Sequence, residues 1–168
     1  MRRSSENKVV LVTRPTRVAE LKRRFNTRTQ AKFYVSHLGQ DFSDYEREDE
    51  RYAAAVREAT QTIEGLGRLQ AIDRSFLTNF VFGPEDIVVV LGQDGLVANT
   101  VKYLDGQPVI GVNPDSARWD GQLLPFQMHD LAKVLSEVIA RRRPTKAVTM
   151  AKATLNTGEV MYAVNEIF

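Results

Sequence analysis

The sequence predicts an α/β fold: a three-layer domain with a mostly parallel, helix-flanked sheet, followed by an antiparallel hairpin that opens a β-rich second domain. Three observations lead there. Lys8–Thr13 and residues 86–91 are short, continuous runs rich in β-branched residues, the pattern of strands buried on both faces. Residues 86–112 read strand, glycine turn, helix, strand, which is the crossover unit of a parallel sheet. Past Pro144 the helix–strand alternation stops, and two strand-like runs flank Asn156-Thr157-Gly158, a hairpin turn.

The elements follow in order. Lys8–Thr13 is the first strand, and Thr16 caps a short helix with Val18, Leu21 and Phe25 on one side. Residues 29–38 form a second helix closed by Gly39. An acidic loop, 41–44, precedes a helix over 45–64, whose apolar stripe is Tyr52, Ala55, Val56, Ala59 and Ile63. Residues 68–72 are a second strand, and 75–82 a short helix or an aromatic loop. Strand 86–91 leads through Gly92-Gln93-Asp94-Gly95 into a helix over 96–104, and Asp105-Gly106 turns the chain into strand 107–112. A turn-rich loop, 113–127, precedes a helix over 128–142 that buries Met128, Leu131, Val134, Leu135, Val138 and Ile139. Its terminal Arg141, Arg142 and Arg143 complement the negative helix end, and Pro144 stops it. The layout is Rossmann-like. Residues 1–144 are assigned to the α/β domain and 145–168 to an incomplete β-rich second domain.

Composition bounds the function. The chain has 168 residues, 43% hydrophobic and 26% charged, enough for one buried core and little more. No cysteine is present, which excludes disulfide scaffolds, thiol nucleophiles and cysteine-ligated metal centres. His37 and His129 are the only histidines, so no residue is assigned as a metal ligand. The longest apolar run is five residues, and residues 1–7 are too short and polar for a secretory signal; a cytoplasmic protein without a membrane partner is expected. Net charge is +2, but residues 1–32 hold ten Lys/Arg against two acids, and residues 41–64 hold eight acids against three bases. No RNA-binding aromatic motif accompanies the basic stretch, which argues for solvated helix faces or a subunit contact rather than nucleic acid.

In an open parallel sheet ligands bind at the carboxyl ends of the strands. Two polar loops fall there, Gly92 to Gly95 and Asn113 to Asp115. Gly92 and Gly95 let backbone N–H groups approach a phosphate, and the next helix points its positive end at the same spot. Asp94 would repel a bare phosphate, so its chemistry is to hold Mg²⁺ or to take a proton from an attacking hydroxyl. The segment is neither a P-loop nor a Gly-x-Gly-x-x-Gly fingerprint.

At these residues the chain resembles the NAD kinase family, within the wider diacylglycerol kinase and phosphofructokinase-like group. Residues 86–99 resemble that family's Gly-Gly-Asp-Gly segment. Residues 108–115 with Gly121 resemble its next landmark, in the divergent mitochondrial-type branch, and residues 162–167 resemble its Asn-Glu strand motif. The resemblance implies transfer of a phosphoryl group from ATP, or polyphosphate, to the 2′-hydroxyl of NAD, with Mg²⁺ screening the phosphates. It makes Asp94 the catalytic base, and it lines the nucleotide site with Gly92, Gln93, Gly95, Asn113, Asp115, Asn165 and Glu166. It also implies a homo-oligomer and small-molecule nucleotide partners. Two positions depart from the family: Gln93 replaces the second glycine and Leu96 replaces a Thr or Ser. A kinase for a sugar or lipid hydroxyl, or an inactive nucleotide-binding homologue, are the alternatives. Because the hairpin ends the chain just after Glu166, the second domain is expected to be truncated.

Overall fold

The structure, a computed structural model, describes residues 5–164. Five strands form one parallel sheet: β1 (Lys8–Thr13), β2 (Arg68–Asp73), β3 (Ile87–Leu91), β4 (Val109–Asn113) and β5 (Phe126–Gln127). Their spatial order is β2-β1-β3-β4-β5, with Val10 paired to both Gln70 and Val88, and Val89 to Ile110. Helices α1 (Arg17–Phe25), α2 (Arg28–His37) and α3 (Phe42–Leu66) connect β1 to β2. Helix α4 (Asp94–Val101) connects β3 to β4, and α5 (Leu131–Ile139) follows β5. The last strands, β6 (Ala151–Thr154) and β7 (Val160–Ala163), make a separate antiparallel pair around Gly158, whose φ is +88°.

The buried runs explain the layering. Period-2 alternation sends Val9, Leu11, Ile87, Val89, Leu91, Ile110 and Val112 to one face, against Tyr52, Ala55, Ala59 and Ile63 of α3 and Leu131, Val134 and Leu135 of α5. Val10, Val12, Val88 and Val90 face the other way, against Leu96 and Val97 of α4 and against Leu77 and Phe82. Each such aliphatic side chain contributes about 1.5–3 kcal/mol by leaving water, so the two faces carry most of the fold's stability. A third, smaller cluster joins Val18, Ala31, Val35 and Phe42, where α1 and α2 pack on the start of α3. Side-chain caps start these helices: Thr16 Oγ1 accepts from Ala19 N–H, Thr27 from Gln30 and Asp41 from Ser43.

The observed elements differ from expectation in specific ways. The sheet is wholly parallel, and β5 lies inside the stretch expected to be loop, because two residues cannot show a period. The segment 75–82 is a 3-10 helix at Arg74–Asn79, leading to an edge-to-face contact of Phe80 with Phe82. Helix 96–104 begins two residues earlier, at Asp94, and ends at Val101. The helix expected over 128–142 is a 3-10 turn, Met128–Asp130, followed by α5, which stops at Ile139. It stops because Arg141 turns left-handed at φ +52°: Arg142 N–H donates to Glu137 O (2.9 Å) and Arg141 N–H to Val138 O (2.9 Å), the closing bonds of a Schellman motif. The arginine run therefore lies past the helix, and Arg141 and Arg143 pair with Glu85 and Glu137. The strand expected over 145–155 is confined to Ala151–Thr154.

Two substitutions check this backbone. Arg141→Gly removes a left-handed non-glycine residue and loses only an exposed ion pair, so it is expected to raise stability by about 1 kcal/mol in urea unfolding. Gly111→Ala places a Cβ 2.2 Å from Leu123 O, and is expected to destabilise by roughly 1–3 kcal/mol.

Candidate functional site at the carboxyl ends of the strands

The connection after β1 leads to β2 on one side, while β3 lies on the other. The chain therefore diverges between the carboxyl ends of β1 and β3, the place where an open parallel sheet leaves a crevice. Residues 13–17, 91–95 and 113–124 meet around it.

Gly92-Gln93-Asp94-Gly95 leaves β3 and opens α4, as the motif requires. Gly92 N–H donates to Val112 O (3.3 Å), and Gln93 is the N-cap residue, its carbonyl accepting from Leu96 N–H at 2.9 Å. A Cβ on Gly92 would stand 2.8 Å from Leu96 Cδ2, so glycine is the residue that lets Leu96 tuck beneath the turn. Leu96 is 6% exposed and belongs to the second core cluster. Gly95 is different: nothing lies within 4 Å of the position a Cβ would take, and the first turn of α4 is open there.

Asp94 is half-buried and holds the neighbouring loop. Its Oδ2 accepts from Gln122 N–H (2.9 Å) and its Oδ1 from Leu123 N–H (2.8 Å). The same loop lies flat on β4, with Leu123 O over Gly111, and turns at Gly121, whose φ is +59°. A carboxylate offers about four lone-pair sites, so two remain for a hydroxyl or a cation. Asn113 is buried and internally engaged: its Nδ2 donates to Trp119 O (2.7 Å) and its Oδ1 accepts from Asp115 N–H (3.0 Å). Asp115 accepts from Arg51 Nη1 at 3.0 and 3.1 Å. Both residues thus shape the loop at the rim. Asn165 and Glu166 lie outside the described residues.

The crevice holds a second group of residues that pattern reading left aside. Tyr52, placed in the apolar stripe of α3, carries its hydroxyl between the two strand ends: it accepts from Arg14 N–H (2.9 Å) and donates to Leu91 O (2.8 Å). Burial pushes this phenol up to about 12. Arg14 stands 5.0 Å over the Tyr52 ring and donates to Glu48 Oε1 (3.0 Å). Glu48, only 5% exposed, also accepts from Arg17, and Thr16 donates to Asp49. Arg17 reaches on to Asp44 (2.7 Å), and Asp44 accepts from Arg118 as well. Hydrogen bonds from Arg118 and then Arg17 hold the Asp44 carboxyl well below the usual carboxylate range. Arginine and carboxylate therefore alternate from Gly92 to Asp115 across three strand ends. The signals were present as Arg14-Pro15-Thr16-Arg17 after a buried strand and as a glycine inside β4.

Among the described residues no group of three or more His, Asp or Glu side chains is arranged to hold a metal ion, and no helix is long and apolar enough to cross a membrane. Lys102 and His129 are exposed, and Trp119 is half-buried with its carbonyl on Asn113.

Tyr52→Phe leaves a part-buried N–H and a buried carbonyl without this partner, and is expected to cost about 1–3 kcal/mol in denaturant unfolding. Because the folded phenol holds its proton above the ordinary value near 10, its contribution to stability is intact below pH 10 and is lost as pH rises through about 12. Absorbance titration should show one tyrosine ionising late, and Tyr52→Phe should remove that late step. No protein-family model matches the chain, and no curated protein matches it.

Proposed function

We propose that the chain is an NAD-kinase-like phosphotransferase, moving a phosphoryl group from ATP or polyphosphate to the 2′-hydroxyl of the adenosine ribose of NAD. The observation that carries this reading is the place of Gly92-Gln93-Asp94-Gly95. It leaves the central strand β3 beside the divergence of β1 and β3, and it opens α4 with Gly95 facing free space. In this reading the domain is Rossmann-like, and the protein works in the cytoplasm as a homo-oligomer on small nucleotides.

The reaction forms a bond between the ribose 2′-oxygen and the transferred phosphorus and breaks the bond from that phosphorus to the departing phosphate chain. The 2′-hydroxyl proton passes to a free lone pair of Asp94. Its carboxylate is held by Gln122 and Leu123 N–H, so it meets the hydroxyl in one orientation. Backbone N–H groups at the start of α4 face the phosphates. Mg²⁺ enters as the complex of the phosphate donor, the usual way this ion is shared between a protein and its substrate. Leu96 points into the core, so the absent hydroxyl at that position is replaced by packing beneath Gly92. Gln93 narrows the approach to the turn and is the residue through which a different acceptor, a sugar or lipid hydroxyl, would be selected.

A second reading is an inactive nucleotide-binding homologue. The engagement of both Asp94 oxygens by the loop favours it, since the carboxylate already has a structural task.

Incubation with ATP, Mg²⁺ and NAD is expected to yield NADP, and Asp94→Asn to lower kcat by about 10²–10⁴-fold. Saturable NAD binding without NADP would favour the inactive homologue. Turnover of another hydroxyl acceptor in place of NAD would reassign the substrate. Neither binding nor turnover would overturn both readings.

A further inference from the structure

Three guanidinium groups converge on one carboxylate at the outer edge of the crevice. Asp44 accepts from Arg17 Nη2 at 2.7 Å, from Arg118 through both of its oxygens, and faces Arg47 Nη2 at 3.7 Å. The three arginines come from α1, from α3 and from the loop after β4, so the meeting is tertiary rather than a by-product of one helix. Asp44 is shared by three guanidinium groups, of which Arg17 also meets Glu48 and Arg118 also faces Asp115. A phosphate, with up to two charges and three terminal oxygens, matches such a fork better.

Arg17 and Arg118 have partners besides Asp44. Arg17 stacks 3.9 Å over the Tyr45 ring and donates to Glu48, while Arg118 Nε lies 3.9 Å from Asp115. Arg17 in particular keeps Glu48 and the Tyr45 ring if Asp44 rotates away. The Asp44 side chain is 38% exposed and Arg47 60%, so the cluster is open to a ligand. A second observation lies on the same chain of charges. Arg14, whose side chain is 8% exposed, has its Nε buried without a hydrogen-bond partner among the described residues. Its Cδ is 3.7 Å from the Cβ position of Gly92, which puts this unused donor beside the phosphate turn. Arg14 and Arg17 share Glu48, so the orphan donor and the three-arginine cluster belong to one array.

We propose that Arg17, Arg47 and Arg118 form a phosphate subsite, that Asp44 occupies it in the free protein as an internal stand-in, and that the phosphate chain of the ligand displaces this carboxylate. The ligand class follows the phosphotransferase reading, but binding requires no turnover. Asp44 then sets the affinity for the phosphate chain, by competition.

The test is calorimetric titration of the whole chain with inorganic tripolyphosphate, and in parallel with ATP and NADP without Mg²⁺. Asp44→Asn is expected to bind tripolyphosphate at least about tenfold more tightly than the native protein, a difference of about 1.4 kcal/mol. Adding Arg118→Ala to that variant should abolish the gain. An equal gain with ATP identifies a donor chain, and a gain confined to tripolyphosphate and NADP identifies a site for the 2′-phosphate; either supports the subsite. Equal affinity of native and Asp44→Asn protein would overturn it, as would a gain that survives Arg118→Ala. Should Asp44→Asn not fold, the Nε–H resonances of Arg17 and Arg118 in the native protein serve instead. They must shift on saturation with tripolyphosphate, and unmoved signals overturn the proposal. Failure of NADP formation leaves these binding outcomes intact, so the two ideas fall separately.

Discussion

The hydroxyl of Tyr52 fixes the distance between the ends of β1 and β3, and the crevice depends on it. Everything below that hydroxyl is apolar: the valines of β1 and β3 and the alanines of α3 build a dry sheet–helix interface. Above it lies the arginine–carboxylate array. The same helix thus supplies packing with Ala55, Ala59 and Ile63 and chemistry with Asp44, Glu48 and Tyr52. A buried phenol suits the border because its ring stays with the core while its oxygen satisfies one donor and one acceptor that the ending strands leave open.

The second constraint is the close approach of the loop 113–124 to β4. Gly111 leaves room for Leu123 O, Gly121 supplies the left-handed turn, and Asp94 binds the two N–H groups that this turn presents. Asn113 closes the loop from the other end through Trp119 and Asp115. The polar residues of the strand ends therefore determine one another's positions, and the Gly-Gln-Asp-Gly turn is shaped as much by its neighbour as by its own glycines.

Much of the fold was legible because burial on both faces leaves a plain record. Lys8–Thr13 and Ile87–Leu91 read as buried strands, and the stripe Tyr52, Ala55, Ala59 and Ile63 read as the buried side of a long helix. The ends of elements were less legible. Arg141 adopts a left-handed turn that a basic side chain does not announce, and β5 is held by its partner β4 rather than by any run of its own. Of the site, the turn 92–95 and the loop 113–115 were visible because glycine and Asp-Gly pairs mark turns. The arginine–carboxylate array was not. Its hydrogen-bonded partners are 27 to 74 residues apart, and charged residues on helices ordinarily mark solvated faces; only the tertiary crossing of α1, α3 and the β4 loop brings Arg17, Glu48, Asp44 and Arg118 together.

The separateness of the third apolar cluster has a consequence for motion. Val18, Ala31, Val35 and Phe42 make α1, α2 and the first turn of α3 into a small unit with its own interior. Arg118–Asp44 joins that unit to the loop after β4, Arg17–Asp44 lies within it, and Arg14–Glu48 and Arg51–Asp115 tie the later turns of α3 to the strand ends. Dispersion and water exclusion govern the unit's interior, and charge governs its seat on the sheet. The two respond to different variables: salt screens the more exposed pairs among these fastenings and leaves the apolar cluster intact. Raised ionic strength therefore weakens the link between the α1–α2 unit and the β4 loop before it reaches the unit's own interior.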